Sequence, residues 1–328
     1  MKAWRVHTHG EPKDVMSRDD VPSPTLTEGG VRIEVHRTSL NFADVLLCRG
    51  EYQERPECPF TPGLEITGRV LEVDDAPASL QPGTWVIATP SLPAGGLADE
   101  TVVQATDVFR MPDWMDPSVG AVLFFAYQTG FFGLHRRARL LPGETLLVHA
   151  GAGGVGSAAI QLGVAAGARV IATARGSEKV AVCRELGAEL AIDSQETDFV
   201  SVVNEATDGR GADVIYDPVG GEVFERSTKC VAFEGRVVVV GFASGTIPQV
   251  RAGHVLVKNY SVVGLHWGLY RQRDPTAVRS AHEALLQMVR TGAISPLIHS
   301  ELEFSQVSEG LQDLAEGRIR GKLVVRNR

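Results

Sequence analysis

The sequence predicts an α/β protein in which a doubly wound parallel sheet is joined to a second, discontinuous domain rich in β-structure. Three observations carry that prediction. The run Gly151-Ala152-Gly153-Gly154-Val155-Gly156 lies between an apolar strand-like stretch, Thr145 to Ala150, and a small-residue helical stretch, Ser157 to Ala166. From about residue 126 to 265, strand and helix patterns alternate, as parallel strands with helical crossovers do. Residues 1 to about 125 read instead as short strands broken by Pro and Gly turns.

In chain order, Val31 to Arg37 alternates with period two, Gly68 to Val73 follows the Pro62-Gly63 turn, and Gln81-Pro82-Gly83 introduces Thr84 to Ala88. In the central part, strands are expected near 145–150, 169–174, 190–193, 213–217 and 236–241. Residues 276–292 are patterned as an amphipathic helix, 305–316 as another helix, and Gly321 to Arg326 as a terminal strand. The expected domains are therefore 1–125, 126–265 and 266–328, the last rejoining the first.

With 328 residues the chain is long enough for two domains and a sizeable core. Its net charge of −8 argues against general nucleic-acid affinity. The cluster His135-Arg136-Arg137-Ala138-Arg139 reads as a solvated helix end favoured by the macrodipole. Cys48, Cys58, Cys183 and Cys230 form no CxxC pair, so neither a zinc ribbon nor a redox dithiol is signalled. The N-terminus carries no apolar signal-peptide core, and no stretch is expected to be long enough to span a bilayer. A cytoplasmic location is the simplest expectation.

The glycine run has the context of a dinucleotide-binding strand–turn–helix. Gly151 is expected to permit the tight turn, Gly153 to let the backbone approach a pyrophosphate, and Gly156 to let helix and strand pack closely. Gly154 and Val155 complete the turn, and the pyrophosphate would rest on unpaired N–H groups at the helix N-terminus. The following strand ends at Ala174, where an NAD-specific fold places an acid to bind the ribose 2′-hydroxyl. A carboxylate there would repel a 2′-phosphate by about 4 kcal/mol per charge pair at about 4 Å and an effective dielectric near 20. Its absence, with Arg175, Ser177 (a plausible N-cap) and Lys179 close by, points to NADPH. The other reading is a solvated basic turn partly compensated by Glu178.

Several further blocks stand in a fixed order. They are Ser39-Leu40-Asn41-Phe42-Ala43-Asp44, Arg49-Gly50-Glu51-Tyr52, Pro59 to Glu65, His149 to Gly156, Asp217-Pro218-Val219-Gly220-Gly221, Val240 to Gly245, and Arg318 to Lys322. Together they resemble the medium-chain dehydrogenase/reductase superfamily over essentially the whole chain. Within it the match is to the zinc-independent NADPH:quinone oxidoreductase branch, which includes zeta-crystallin-like proteins. The resemblance implies a Rossmann sheet plus a discontinuous GroES-like catalytic domain. Zinc alcohol dehydrogenases of the superfamily carry a Cys before an Asp and a His in Gly-His-Glu; the matching positions here are Asn41 and Leu64, which cannot build a tetrahedral zinc site. No metal is therefore expected.

The same resemblance implies hydride transfer to a small-molecule quinone, or alternatively to an enone or enoyl thioester. A non-catalytic NADPH-binding role is a second alternative. Asn41 and Tyr52 are the candidate catalytic residues, because the family places their equivalents beside the nicotinamide. Either can donate a hydrogen bond to the oxygen on which charge builds. Tyr52 can also be a pocket wall, with water as the proton source. Asn41, Thr129, Gly241, Phe242, Ser244 and Lys322 match the family's cofactor contacts, Phe242 serving equally well as core packing. Ser194 stands where many members carry a Tyr against the adenosine phosphate. Leu64, Trp267 and Tyr270 are further candidate pocket walls. Family members often form homodimers by pairing sheet edges; Val255 to Val263 reads as such an edge or as a strand buried within one subunit.

Overall fold

Six parallel strands build the sheet of one unit, Ala126–Leu297. In this computed structural model, which describes every residue except 76, 78 and 328, the strands lie across the sheet in the order Leu190–Asp193, Arg169–Ala174, Thr145–Val148, Ala212–Asp217, Val231–Val239, Ser261–Gly264. Every neighbouring pair is parallel. Numbered along the chain this is the order 3-2-1-4-5-6, the doubly wound arrangement. Such a sheet binds ligands outside the carboxyl ends of its first and fourth strands, where the winding reverses. The strands read as continuous apolar runs because parallel sheets are covered on both faces. Leu147, Ile171, Ile215 and Val237 accordingly pack with Phe199, Val203 and Phe224 in one core.

The second unit joins Met1–Phe125 to Ile298–Arg328. Its main sheet runs Ile298–Glu303, Lys322–Arg326, Gly30–Leu40, Ile66–Val73, Trp85–Ala88, Val108–Arg110, with Glu100–Gln104 also paired to Gly30–Leu40. A two-stranded ribbon, Lys2–Val6 with Met16–Asp20, stands apart from that sheet. The period-two stretch at 31–37 buries Val31, Ile33 and Val35 against Ile66, Val70 and Val86. Register matters here: Leu323 lies opposite Leu40, and Ile66 opposite Thr38. The long central strand therefore delivers Asn41, Lys322 and Glu65 to one end of the sheet.

Three expectations need correction. The chain returns to the first unit at Ile298, not at 266. The helix Pro275–Arg290, with Asp274 accepting from Ala277 N at 3.2 Å, belongs to the parallel-sheet unit. Gln128 Nε2 donates to Val278 O at 2.9 Å, and Ser295 N donates to Gln161 Oε1 at 2.6 Å. Amphipathic patterning shows that a face is buried but not which unit covers it. The stretch Val255 to Val263 is not continuous β-structure: Ala252–Lys258 is helical and ends at left-handed Asn259, leaving only Ser261–Gly264 as the edge strand. Finally, Pro117–Phe131 continues through a π turn, Phe132–Arg137, into a 21-residue helix of mean hydropathy 1.2. By length and composition it could cross a membrane; 78% of its apolar window is buried in the protein, which accounts for the composition.

Candidate functional site

The glycine turn connects the Thr145–Val148 strand to the helix Gly154–Ala165. Its left-handed residue is Ala150, at φ 51°, so Gly151 does not provide the turn as expected. Gly151 is needed for space instead: a Cβ there would stand 2.8 Å from Cys183 Sγ and 2.9 Å from Ile160 Cδ1. A Cβ on Gly156 would stand 2.2 Å from Ala150 O, so this glycine lets the helix seat against the turn. Gly153, the residue before the helix, differs. Its Cβ would meet only Ala150 O, at 3.3 Å. That one contact is tight but a shift of a few tenths of an ångström relieves it, and the first-turn residues Gly154 and Val155 carry N–H groups without helical acceptors. The turn fits a phosphate lying against the backbone.

The next strand ends at buried Ala174, followed by exposed Arg175. Gly176, at φ 83°, caps the helix Ser177–Glu185, so Ser177 is its first residue rather than its N-cap. A positive φ suits glycine there, where serine would be strained. Gly176 N donates to Asp193 Oδ1 at 3.0 Å, as does Gln195 N at 3.0 Å, so this one carboxylate ties two strand ends together. Ser194 Oγ donates to Ala174 O at 3.1 Å. Arg175, exposed Ser177, half-buried Lys179 and exposed Ser194 thus surround the tip of the second strand.

At the end of the fourth strand, Asp217 Oδ1 accepts from Val219 N at 2.8 Å and Gly220 N at 3.0 Å, and burial raises its carboxyl above the usual range. The segment after Val240 folds back onto this turn: Ala243 N donates to Pro218 O and Ser244 N to Val219 O, each at 3.0 Å. Phe242 and Ser244 lie so close over Gly220 and Gly221 that a Cβ on either glycine would meet them at 2.8 and 2.9 Å. Gly241, Phe242 and Ser244 therefore sit at the winding reversal with the glycine turn. Thr129 is buried on the helix Pro117–Phe131.

In the other unit, the Lys322 ammonium donates to Asn41 Oδ1 and lies 3.6 Å from Glu65 Oε2. Lys322 is 5% exposed and Glu65 is fully buried. Glu65 Oε1 accepts from Phe125 N at 2.7 Å, while Asp44 accepts from Asn41 N at 2.8 Å and Gly63 N at 2.9 Å. Burial drives Lys322 downward and Glu65 upward, and lifts Asp44 to about 6. Tyr52 is half-buried against the core, and Leu64, expected as a pocket wall, is part of that core. Trp267 is also buried, and Tyr270 packs on Phe132 under the Arg136 guanidinium.

Asp44, Glu65, Asp193 and His149 had no individual role assigned from sequence. The Asn41-x-x-Asp44 spacing is that of a capping pair and signalled Asp44. Glu65 gave no comparable sign, since Phe125 and Lys322 are distant in sequence, and for Asp193 the local bond from Gln195 N does not reveal the more distant one from Gly176 N. The residues at Asn41 and Leu64 do not fit a zinc ion: one offers an amide already engaged by an ammonium, the other an aliphatic chain. Among the described residues, no three His, Cys, Asp or Glu side chains converge as a metal-ligand set.

Family models agree with the two units. One described as a zinc-binding dehydrogenase matches residues 154–283, and one described as the alcohol dehydrogenase GroES-like domain matches residues 27–113. A quinone oxidoreductase-like protein 2 homolog of Nematostella vectensis is 39% identical over 315 residues, covering 95% of this chain and 86% of that protein. The Thermus thermophilus quinone oxidoreductase, solved alone and in complex with NADPH, is 32% identical with a TM-score of 0.83, covering 99% of this chain and all of its own. The Escherichia coli quinone oxidoreductase complexed with NADPH is 25% identical with a TM-score of 0.92, at 99% and 100% coverage.

Proposed function

Because the chain belongs to the quinone oxidoreductase-like family of the medium-chain dehydrogenase/reductase superfamily, we propose that it is an NADPH-dependent, zinc-independent reductase of quinones. The observation that carries the cofactor reading is the pairing of the glycine turn, where a Cβ on Gly153 would meet a single protein atom, with the acid-free strand end Ala174-Arg175. Bound NADPH supplies a hydride, the two-electron chemistry that the side chains lack. The helix N-terminus at Gly154 receives the pyrophosphate, and Arg175 and Lys179 neutralise the 2′-phosphate, with Ser177 donating a hydrogen bond. Ser194, beside Ala174, borders the same end. Thr129, Gly241, Phe242 and Ser244 hold the nicotinamide end in this reading.

Asn41 is the polarising donor toward the acceptor oxygen. A quinone takes hydride readily and builds negative charge on that oxygen, so a neutral amide donor suffices and no Lewis acid is required. Tyr52 forms a second donor or the acceptor's aromatic wall. The homodimer belongs to the same proposal: Ser261–Gly264 is a sheet edge, and the helix before it exposes Leu256 at 76% and Val257 at 79%. We further propose a reducing, cytoplasmic setting, consistent with four unpaired cysteines, of which Cys48, Cys183 and Cys230 are buried.

The test is to follow NADPH and NADH absorbance with 1,4-benzoquinone, 9,10-phenanthrenequinone and a simple enone, in protein verified metal-free. Quinone turnover with NADPH, much slower with NADH, is the expected result. Turnover of the enone alone moves the assignment to alkene reduction. Tight NADPH binding with no acceptor consumed overturns a catalytic role.

A further inference from the structure

We infer that Lys322 and Glu65 are positioning residues for Asn41, holding its amide so that Nδ2 is the group presented for hydrogen-bond donation. The inference rests on the reading of Asn41 as the donor to the acceptor oxygen. An ammonium can only donate, so the Asn41 atom that meets Lys322 is the carbonyl Oδ1. Asn41 Nδ2 donates to Ser39 O at 3.2 Å, and a carbonyl can only accept. Both contacts demand the same orientation of the amide. One Nδ2 proton is then left without an acceptor among the described residues.

Turned by half a rotation, the same amide would present Oδ1, an acceptor facing the negative charge that builds during reduction. The difference between the two orientations is the difference between stabilising and opposing that charge. Ser39 O alone is a weak lock, since its contact is long. Lys322 supplies the stronger one, a charge-assisted bond between buried partners.

An ammonium this buried needs compensation. Glu65, 3.6 Å away, provides it, and Phe125 N in turn fixes Glu65 Oε1. Asp44 adds a second buried carboxylate, anchored by two backbone N–H groups. The register of the sheet makes the arrangement possible, because residue 322 precedes the pair Leu323–Leu40 and so falls beside residue 41. Lys322 thus acts through Asn41, a different role from the direct cofactor contact that the family resemblance implies.

The experiment uses the full chain with Lys322→Met, Lys322→Arg and Glu65→Gln variants, the last covering the case in which Lys322→Met does not fold. Side-chain amide NMR of protein labelled with 15N-asparagine reads the Asn41 Nδ2 pair without cofactor, Asn41→Asp identifying the signals. Wild type is expected to show one sharp, slowly rotating pair; Lys322→Met and Glu65→Gln are expected to broaden or shift it, and Lys322→Arg to retain it. Stopped-flow oxidation of saturating NADPH by benzoquinone should slow about tenfold or more in Lys322→Met, with NADPH Kd changed less than threefold. An unchanged Asn41 signal, or a raised Kd with an unchanged hydride-transfer rate, overturns the inference. Wild type that binds NADPH but does not oxidise it with benzoquinone or any of the other acceptors instead overturns the reading of function, whatever the amide signal shows.

Discussion

His149 Nε2 lies 2.8 Å from Ser227 Oγ, and that hydroxyl directs its own proton to Val223 O at 2.7 Å. The imidazole must therefore be the donor, which leaves Nδ1 to accept from Thr173 Oγ1 at 3.0 Å. One neutral ring links the last residue but one before the glycine turn to the second strand and to the helix Gly221–Ser227. Burial, helped by the Arg226 charge, pushes its pKa down to about 3.

That depression has a definite sign. Between pH 6.5 and 3 the unfolded chain binds a proton at this residue that the folded chain does not, so stability present above pH 6.5 is lost as pH falls. By pH 5 the loss from this one residue amounts to about 2 kcal/mol. Urea unfolding at pH 7 and pH 5 is expected to show a smaller decline for His149→Gln than for wild type. Equal declines would contradict the assignment.

Asp44 has the opposite sign. Its folded pKa, about 6, stands above the ordinary 3.8, so its burial is tolerated best below pH 4 and costs stability as pH rises through 6. The full difference is about 3 kcal/mol. Asp44→Asn is expected to lose the stability change over pH 4–6 that this carboxyl contributes, measured as the unfolding midpoint against pH.

The turn glycines separate folding from binding. Gly153→Ala is expected to cost about 1 kcal/mol of unfolding free energy while weakening NADPH at least tenfold by titration calorimetry, because the new methyl presses on one protein atom, Ala150 O at 3.3 Å, and otherwise faces the ligand. Gly156→Ala forces a Cβ onto Ala150 O and is expected to cost about 3 kcal/mol or more of stability. The reverse pattern would mean that the pyrophosphate lies elsewhere.

Arg175→Ala is expected to raise KM for NADPH about 10- to 100-fold, the loss of one or more charge-assisted hydrogen bonds, and to leave KM for NADH unchanged. Equal effects on both cofactors would remove Arg175 from the 2′-phosphate.

Leu256→Glu changes a side chain that is already exposed, so the fold should tolerate it. Sedimentation velocity is expected to show a dimer for wild type and a monomer for this variant. A wild-type monomer would end the edge-pairing proposal.

Much of the fold was legible because its signals are local. The strands at 169–174 and 190–193 lie at the positions expected from their apolar runs, and Gly321 to Arg326 forms a terminal strand one residue shorter, at Lys322–Arg326. What was not legible depends on distance. The helix Pro275–Arg290 shows its apolar stripe, but the bonds from Gln128 and Gln161 that assign this segment to a unit come from more than a hundred residues away. Ala150 illustrates the same limit at short range: a run of four glycines drew attention to Gly151, yet the alanine before it takes the left-handed conformation. Within the site, Asn41 and Lys322 were each picked out by resemblance, but their contact spans 281 positions and follows only from sheet register.

The strand Lys322–Arg326 is made after the whole parallel-sheet unit has been translated. A nascent chain still short of that strand can have its nucleotide-binding sheet complete while Asn41 and Glu65 await the Lys322 ammonium. The ribosome would then carry a chain able to hold its cofactor before it is able to orient Asn41. Orientation of Asn41 is in that sense ordered by translation, following the sheet that precedes Lys322 in the chain.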